Sequence, residues 1–150
     1  MKAVIQRVSS AKVEVAGQTS GEIGRGLLIL LGVKESDTEK EARWLADKCL
    51  NLRIFEDAKG LMNLSVLETQ GEVMVVSQFT LYGATEKGRR PSFTQAAPPS
   101  LSEPLYQYFI GLCRNSGLRV ASGVFGADMQ VSLVNDGPVT LIAEKNSHSD

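Results

Sequence analysis

Histidine is almost missing from this sequence. The one copy, His148, stands near the end of a 150-residue chain, in a polar tail over residues 145–150 that is expected to fray. No core imidazole is therefore expected, which excludes Ser-His-Asp and Cys-His machinery and any histidine-bearing metal site. A hydrolase built on this chain would have to handle protons through a carboxylate of raised pKa, a shifted lysine or a group on its substrate.

Cysteine is scarce as well. Cys49 and Cys113 are far apart and outside any paired ligand spacing, so neither zinc nor a disulfide framework is indicated. Each falls on an apolar helical face, where a free cysteine behaves as a small hydrophobe. No metal or cofactor is expected. Long apolar runs are absent too: the longest, residues 27–31, is strand-sized, far short of the roughly 20 residues of a membrane span. The opening Met1-Lys2 runs straight into strand-like alternation without a secretory pattern. Together these features predict a cytosolic protein with no membrane partner. The net charge of −1 lacks the basic excess of a domain that holds nucleic acid by bulk electrostatics, although local basic patches stay open.

What is present predicts one domain over residues 1–150, soluble and globular, with 43% hydrophobic and 22% charged residues. Alternation predicts strands over residues 3–8 and 13–16, broken at Ser9-Ser10, then a turn at Gly17-Gln18 and a weaker strand over 19–23. Residues 27–33 are apolar without alternation, as in a central strand buried on both faces. Ser36 and Glu39 have capping-box spacing, and Ala42, Leu45, Ala46 and Cys49 recur behind them, predicting a helix over 37–50. Residues 51–55 read as a short strand, 56–60 as a polar turn and 73–82 as a strand. A long loop follows over 83–99. Ser102 is placed to cap a second helix, with Pro104 in its first turn, Leu105, Tyr108, Phe109 and Leu112 on its apolar stripe, and Gly117 at its end. Residues 118–121 begin the last strands, and 129–134 with 139–144 read as a hairpin across Asn135-Asp136-Gly137-Pro138. The sum is an α+β domain with two main helices and a largely antiparallel or mixed, barrel-like sheet.

Three places carry polar groups where chemistry could occur. Ser77 and Thr80 interrupt an apolar strand; they bond neighbouring backbone, mark the strand's exposed end, or face a ligand. Lys87, Arg89 and Arg90 crowd the long loop, where they are either simply solvated or hold phosphates. Gly137-Pro138 is, on residue type alone, no more than a turn.

Taken together, Ser77-Gln78-Phe79-Thr80-Leu81 and Asn135-Asp136-Gly137-Pro138-Val139-Thr140 resemble the paired signatures of the D-aminoacyl-tRNA deacylase family, which removes wrongly attached D-amino acids from tRNA. The resemblance extends to residues 1–8 and to Gly123-Val124-Phe125-Gly126-Ala127-Asp128-Met129. It implies a homodimer in which a Gly137–Pro138 turn, with a cis peptide, enters the partner's pocket. There its carbonyls would crowd an L side chain, while D-residues and glycine escape, so glycyl-tRNA would also be cleaved. Arg7 resembles the arginine that braces this turn, and Met129 aligns with a pocket wall. Ser77, Gln78, Phe79 and Thr80 match the catalytic strand. In the family the substrate's own 2′-hydroxyl assists ester cleavage while backbone N–H groups around Phe79 steady the oxyanion. Thr80 has no adjacent base, which favours hydrogen bonding over covalent catalysis. Lys87, Arg89 and Arg90 would grip the acceptor stem. The rival readings are a non-catalytic RNA-binding module and an esterase for small amino-acid esters.

Overall fold

A computed structural model describes residues 1–147; His148 and the two residues after it lie outside the described residues. The first strand, β1 (Lys2–Val15), turns through Ala16 and Gly17 into β2 (Gln18–Ile23). Ala16 and Gly17 have φ of 50° and 79°, the paired positive values whose twist suits a two-residue hairpin. Next come β3 (Gly26–Gly32), helix α1 (Glu39–Asn51), the small hairpin β4 (Phe55–Glu56) and β5 (Met62–Leu64), and the short helix α2 (Val66–Thr69). Strand β6 (Glu72–Ser77), a 3₁₀ turn (Phe79–Tyr82), helix α3 (Pro99–Asn115), β7 (Val120–Ser122) and β8 (Gln130–Glu144) complete the chain.

Strand β1 does not break at Ser9-Ser10 as expected. On one flank it pairs with β8 along nearly its whole length, and on the other it passes from β3, beside residues 2–8, to β2, beside residues 11–15. The two serines are exposed where this handover occurs. The order β2-β1-β3-β6-β7, with β8 also on β1, combines antiparallel pairs with the parallel pairs β3–β6 and β6–β7. This mixed sheet is curled nearly into a barrel. At the closing seam Gly21 is required: a Cβ there would stand 2.7 Å from the carbonyl oxygen of Ser122.

Curling explains why the 27–31 run has no alternation. Leu27, Ile29 and Leu31 face α1 and α3 in one core, together with Leu45, Phe109 and Val75. Leu28 faces the other way, into a second core with Val8, Val13, Met74 and Val76. Burial on both faces removes the polar half of the strand pattern.

Several boundaries move. Helix α1 is capped by Thr38 and Glu41, not Ser36 and Glu39, because Asp37 turns inward. Its carboxylate accepts from the Met1 amine at 2.8 Å and from the Lys34 N–H at 2.7 Å. The same amine donates to the Lys145 carbonyl at 2.8 Å and Lys145 N–H returns to the Met1 carbonyl at 2.9 Å, so the first residue of the expected tail is tied to Met1, just before β1. Residues 51–54 are not a strand: Asn51 ends α1, and β4 starts only at Phe55. Helix α3 begins at Pro99, with φ preset by proline, so Ser102 lies inside it and donates to the Pro98 carbonyl at 3.1 Å. Pro104 consequently falls within the helix instead of its first turn. The buried stripe is Leu105, Tyr106, Phe109, Ile110 and Cys113, with Tyr108 and Leu112 at its margin. Gly117, at φ 88°, follows the helix end.

The largest departure is β8. No hairpin forms at Asn135–Pro138; the strand continues through it against β1, with register shifts near Gln6, Val8 and Ser10. Gly137 does not take the positive φ of a two-residue hairpin turn. Instead Asn135 donates from Nδ2 to the carbonyls of Arg7 and Val139, both at 3.0 Å, and a side chain thus spans the bulged stretch. The long partner strand offers more ladder bonds than folding back would.

Candidate active site

Strand β6 stops at Ser77, earlier than its apolar pattern suggests, so residues 77–82 do not alternate between two faces. Gln78 N–H donates to the Leu31 carbonyl at 2.8 Å, and Leu81 N–H and Gly83 N–H then close 3₁₀ bonds to Gln78 and Thr80 at 3.2 and 2.9 Å. Phe79 and Thr80 thereby occupy the first positions of a helical turn, where N–H groups have no partner within the turn. The Gln78 amide Nε2 donates to Thr80 Oγ1. Among the described residues no imidazole or thiol accompanies that hydroxyl.

Ser77, Gln78 and Phe79 line a cavity of about 530 Å³ that also includes Val33, Phe125 and Met129. Thr80 lies just beyond it, exposed. Met129 is half-buried, and its sulfur would stand 2.6 Å from a Cβ on Gly123, so the glycine admits it as a wall. The Tyr106 hydroxyl, buried, donates to the Val75 carbonyl at 2.9 Å beneath the strand end; burial raises its pKa to about 12, keeping it a donor. Apolar side chains make up most of the lining, with Ser77 and Gln78 at the end of β6 and Ser102 and Asp128 as the other polar groups, the pattern of a small-ligand site. Neither Phe125 nor Val33 is marked as a site residue by its local pattern; Phe125 lies in the Gly123–Met129 stretch of the resemblance and Val33 ends the apolar run over 27–33.

Both cysteines are buried and unpaired. Desolvation raises both thiol pKa values, Cys113 to about 12, so neither is a nucleophile.

Arg7, Gly137 and Pro138 lie elsewhere. Arg7 is not a surface cation: it is 6% exposed. Its Nε donates to the Asp136 carbonyl at 2.9 Å and a terminal nitrogen donates to the Ile54 carbonyl at 2.7 Å. The Asp136 carboxylate sits 3.4 Å from the guanidinium. This clamp presents an exposed Gly137–Pro138 unit whose peptide is cis. A second hollow, about 560 Å³, opens beside it between Arg7, Arg25, Phe55 and Asp136. In the sheet, Val8 pairs with Asn135 and Gly26, and Gly26 pairs with Glu72. Gly137 thus belongs to the Glu72 end of β6, whereas Ser77 is five residues along, roughly 17 Å at strand rise. The chain does not bring the two motifs together by itself. Lys87, Arg89 and Arg90 are exposed on the long loop, outside either hollow. Among the described residues none of the three has an ion-pair partner.

The curled α+β domain thus gathers backbone donors, two hydroxyls and an amide at and beside one strand-end cavity, the makings of a small-ligand site. The family model described as D-Tyr-tRNA(Tyr) deacylase matches residues 4–144. A D-aminoacyl-tRNA deacylase of Geobacter sulfurreducens is 60% identical over 99% of this chain and 98% of its own. One of Thermosipho africanus is 57% identical over 96% and 97%. Among solved structures, a c-Myc DNA unwinding element binding protein superposes with a TM-score of 0.92 at 44% identity, covering 98% of this chain and all of its own. The chain belongs to the D-aminoacyl-tRNA deacylase family of ester hydrolases, whose substrate is an aminoacylated tRNA.

Proposed function

We propose that this protein, acting in the cytoplasm as a homodimer, cleaves the ester linking a D-amino acid, or mischarged glycine, to tRNA. The observation that carries the dimeric arrangement is the separation of the two motifs: an exposed, clamped Gly137–Pro138 at one end of the sheet and an open cavity at Ser77–Phe79 at the other. A second copy supplies the missing half of each site. The outer face of β8 suits such a contact, with Val134 and Ile142 57% and 73% exposed, because exposed apolar side chains grouped on one strand mark association surfaces.

In this reading the Gly137–Pro138 carbonyls of one subunit wall the side of the α-carbon where an L side chain would point. Rigid backbone cannot relieve the clash by changing rotamer. The N–H groups at Phe79 and Thr80 receive the oxyanion, and the terminal ribose 2′-hydroxyl assists cleavage, which accounts for a site without a base. Ser77, Gln78 and Thr80 orient the ester; Met129 closes the cavity; Lys87, Arg89 and Arg90 hold acceptor-stem phosphates.

The test is complementation with matched D-tyrosyl-tRNA and L-tyrosyl-tRNA. Gly137→Ala and Thr80→Ala proteins, each expected to be impaired alone, are mixed under conditions that exchange subunits. Release from the D form should return, because one of the two sites then has both intact halves. No recovery in verified heterodimers would overturn the cross-subunit site. A wild-type protein that binds tRNA but releases neither amino acid would instead favour the RNA-binding module, and equal cleavage of free D-tyrosine esters the small-molecule esterase.

A further inference from the structure

We propose that Phe93, together with Phe79, forms a stacking platform for an unpaired nucleobase of the substrate, upstream of the nucleotide that carries the amino acid. Phe93 belongs to the long loop and is 40% exposed; Phe79, at the cavity mouth, is 56% exposed. Their rings meet edge to face, with centroids 5.4 Å apart at 65°, an arrangement that leaves a ring face open to a third aromatic. Gly83 makes the approach feasible, since a Cβ there would stand 2.9 Å from Phe93 Cε1.

The loop is built to hold that ring in place. Ala84 and Ser92 exchange two backbone bonds, at 2.7 and 2.9 Å, and Ala96 N–H donates to the Phe93 carbonyl at 3.1 Å. Between the bridged residues lies the cationic tip with Lys87, Arg89 and Arg90, exposed and without ion-pair partners among the described residues. An aromatic face on the same loop as unpaired cations, Phe93 being three residues after Arg90, is the combination that binds single-stranded nucleic acid: rings take bases and cations take phosphates. A peptide or a duplex would leave one of the two unused. The occupant is therefore a short unpaired RNA 3′ end, its last base pairs toward the cations. The inference rests on the aminoacyl-tRNA reading above, which named the cations but gave the Phe93 ring no role.

The experiment compares wild type with Phe93→Tyr, Phe93→Leu and Phe93→Ala. Binding is read by fluorescence anisotropy on an RNA hairpin with a four-nucleotide unpaired 3′ end, and on the same hairpin with a blunt end. Phe93→Tyr keeps the π face and should bind as wild type; Phe93→Leu keeps bulk without the face and should lose about tenfold on the overhang alone. In turnover, the Leu variant should lose about tenfold more on D-tyrosyl-tRNA than on the D-tyrosyl ester of adenosine, which has no upstream base. Leu equal to wild type in binding would overturn the proposal. So would equal losses on both esters, which would make Phe93 a prop for Phe79. Should wild type prove inactive on both esters, the deacylase reading fails while the binding comparison still decides the platform. Phe93→Ala is interpreted only alongside its circular dichroism; the Tyr and Leu pair decides.

Discussion

The buried guanidinium of Arg7 donates to the carbonyl of Asp136 at 2.9 Å, and through this bond a residue near the start of the chain sets the position of Gly137–Pro138. Its second bond, to the Ile54 carbonyl, ties the same unit to the segment leaving α1. A fixed fork reaches two acceptors at once, which a lysine ammonium on a flexible stem does not reproduce. Arg7→Ala should lower stability by about 2–4 kcal/mol, since it strands buried acceptors. Arg7→Lys should recover part of the stability and little of the discrimination between D- and L-tyrosyl-tRNA. Urea unfolding beside the two release rates checks both.

At Gly137 the constraint is steric. A Cβ would stand 2.3 Å from Asn135 Oδ1, pushing away the amide that spans Arg7 and Val139. Gly137→Ala should cut release of D-tyrosine by at least about tenfold, the effect of roughly 1.4 kcal/mol lost in the transition state. The fold should survive, with its circular dichroism unaltered. Asn135→Ala, tested beside it, should show part of the same loss.

Ile142 tests the association surface. Ile142→Glu places a charge on the outer face of β8 without disturbing either core. Sedimentation should show a monomer with native circular dichroism, and tRNA deacylation should disappear with the dimer. A monomer that remains active would remove the need for a second copy.

The proposed grip of the loop cations on phosphates has a salt signature. Neutralising any one of Lys87, Arg89 or Arg90 should weaken binding to different tRNAs alike and lower the slope of log affinity against log salt by about one unit. Titrations at several salt concentrations measure it directly.

Acid sensitivity should appear at the α1 cap. Burial of Glu41 opposes its charge, but bonds from the Thr38 hydroxyl and N–H outweigh it and lower the pKa. A carboxylate depressed in the folded state contributes stability above its unfolded pKa of 4.5, and that contribution is lost as pH falls through the lower, folded value. Glu41→Gln should therefore be less stable than wild type at pH 7, by about 1 kcal/mol as for other caps. The difference should shrink below pH 4.5. Denaturant midpoints from pH 3 to 7 provide the check.

Local chemistry explains what could be read early and what could not. The helical spacing of Ala42, Leu45, Ala46 and Cys49 was legible because an amphipathic helix writes its burial into consecutive turns. Its cap was misplaced by two residues because Asp37 is held by the Met1 amine, a partner distant in sequence. The apolar run at 27–31 announced a strand buried on both faces. Nothing local, however, announced that a curled sheet would cover one of them.

The two motifs divide in the same way. Residue identities alone determined that the one histidine stands near the end of the chain, that the domain would be α+β, and which family signatures the chain carries. Tertiary structure decided that Asn135–Pro138 runs on as a bulged part of β8 instead of turning a hairpin, because β1 is long enough to pair with β8 on both sides of it. It also decided that Ser77 ends a strand before a 3₁₀ turn, that Arg7 is buried, and that Gly137 and Ser77 lie at opposite ends of the sheet. Pairing register and burial are set by residues far apart in the chain, and no local pattern encodes them.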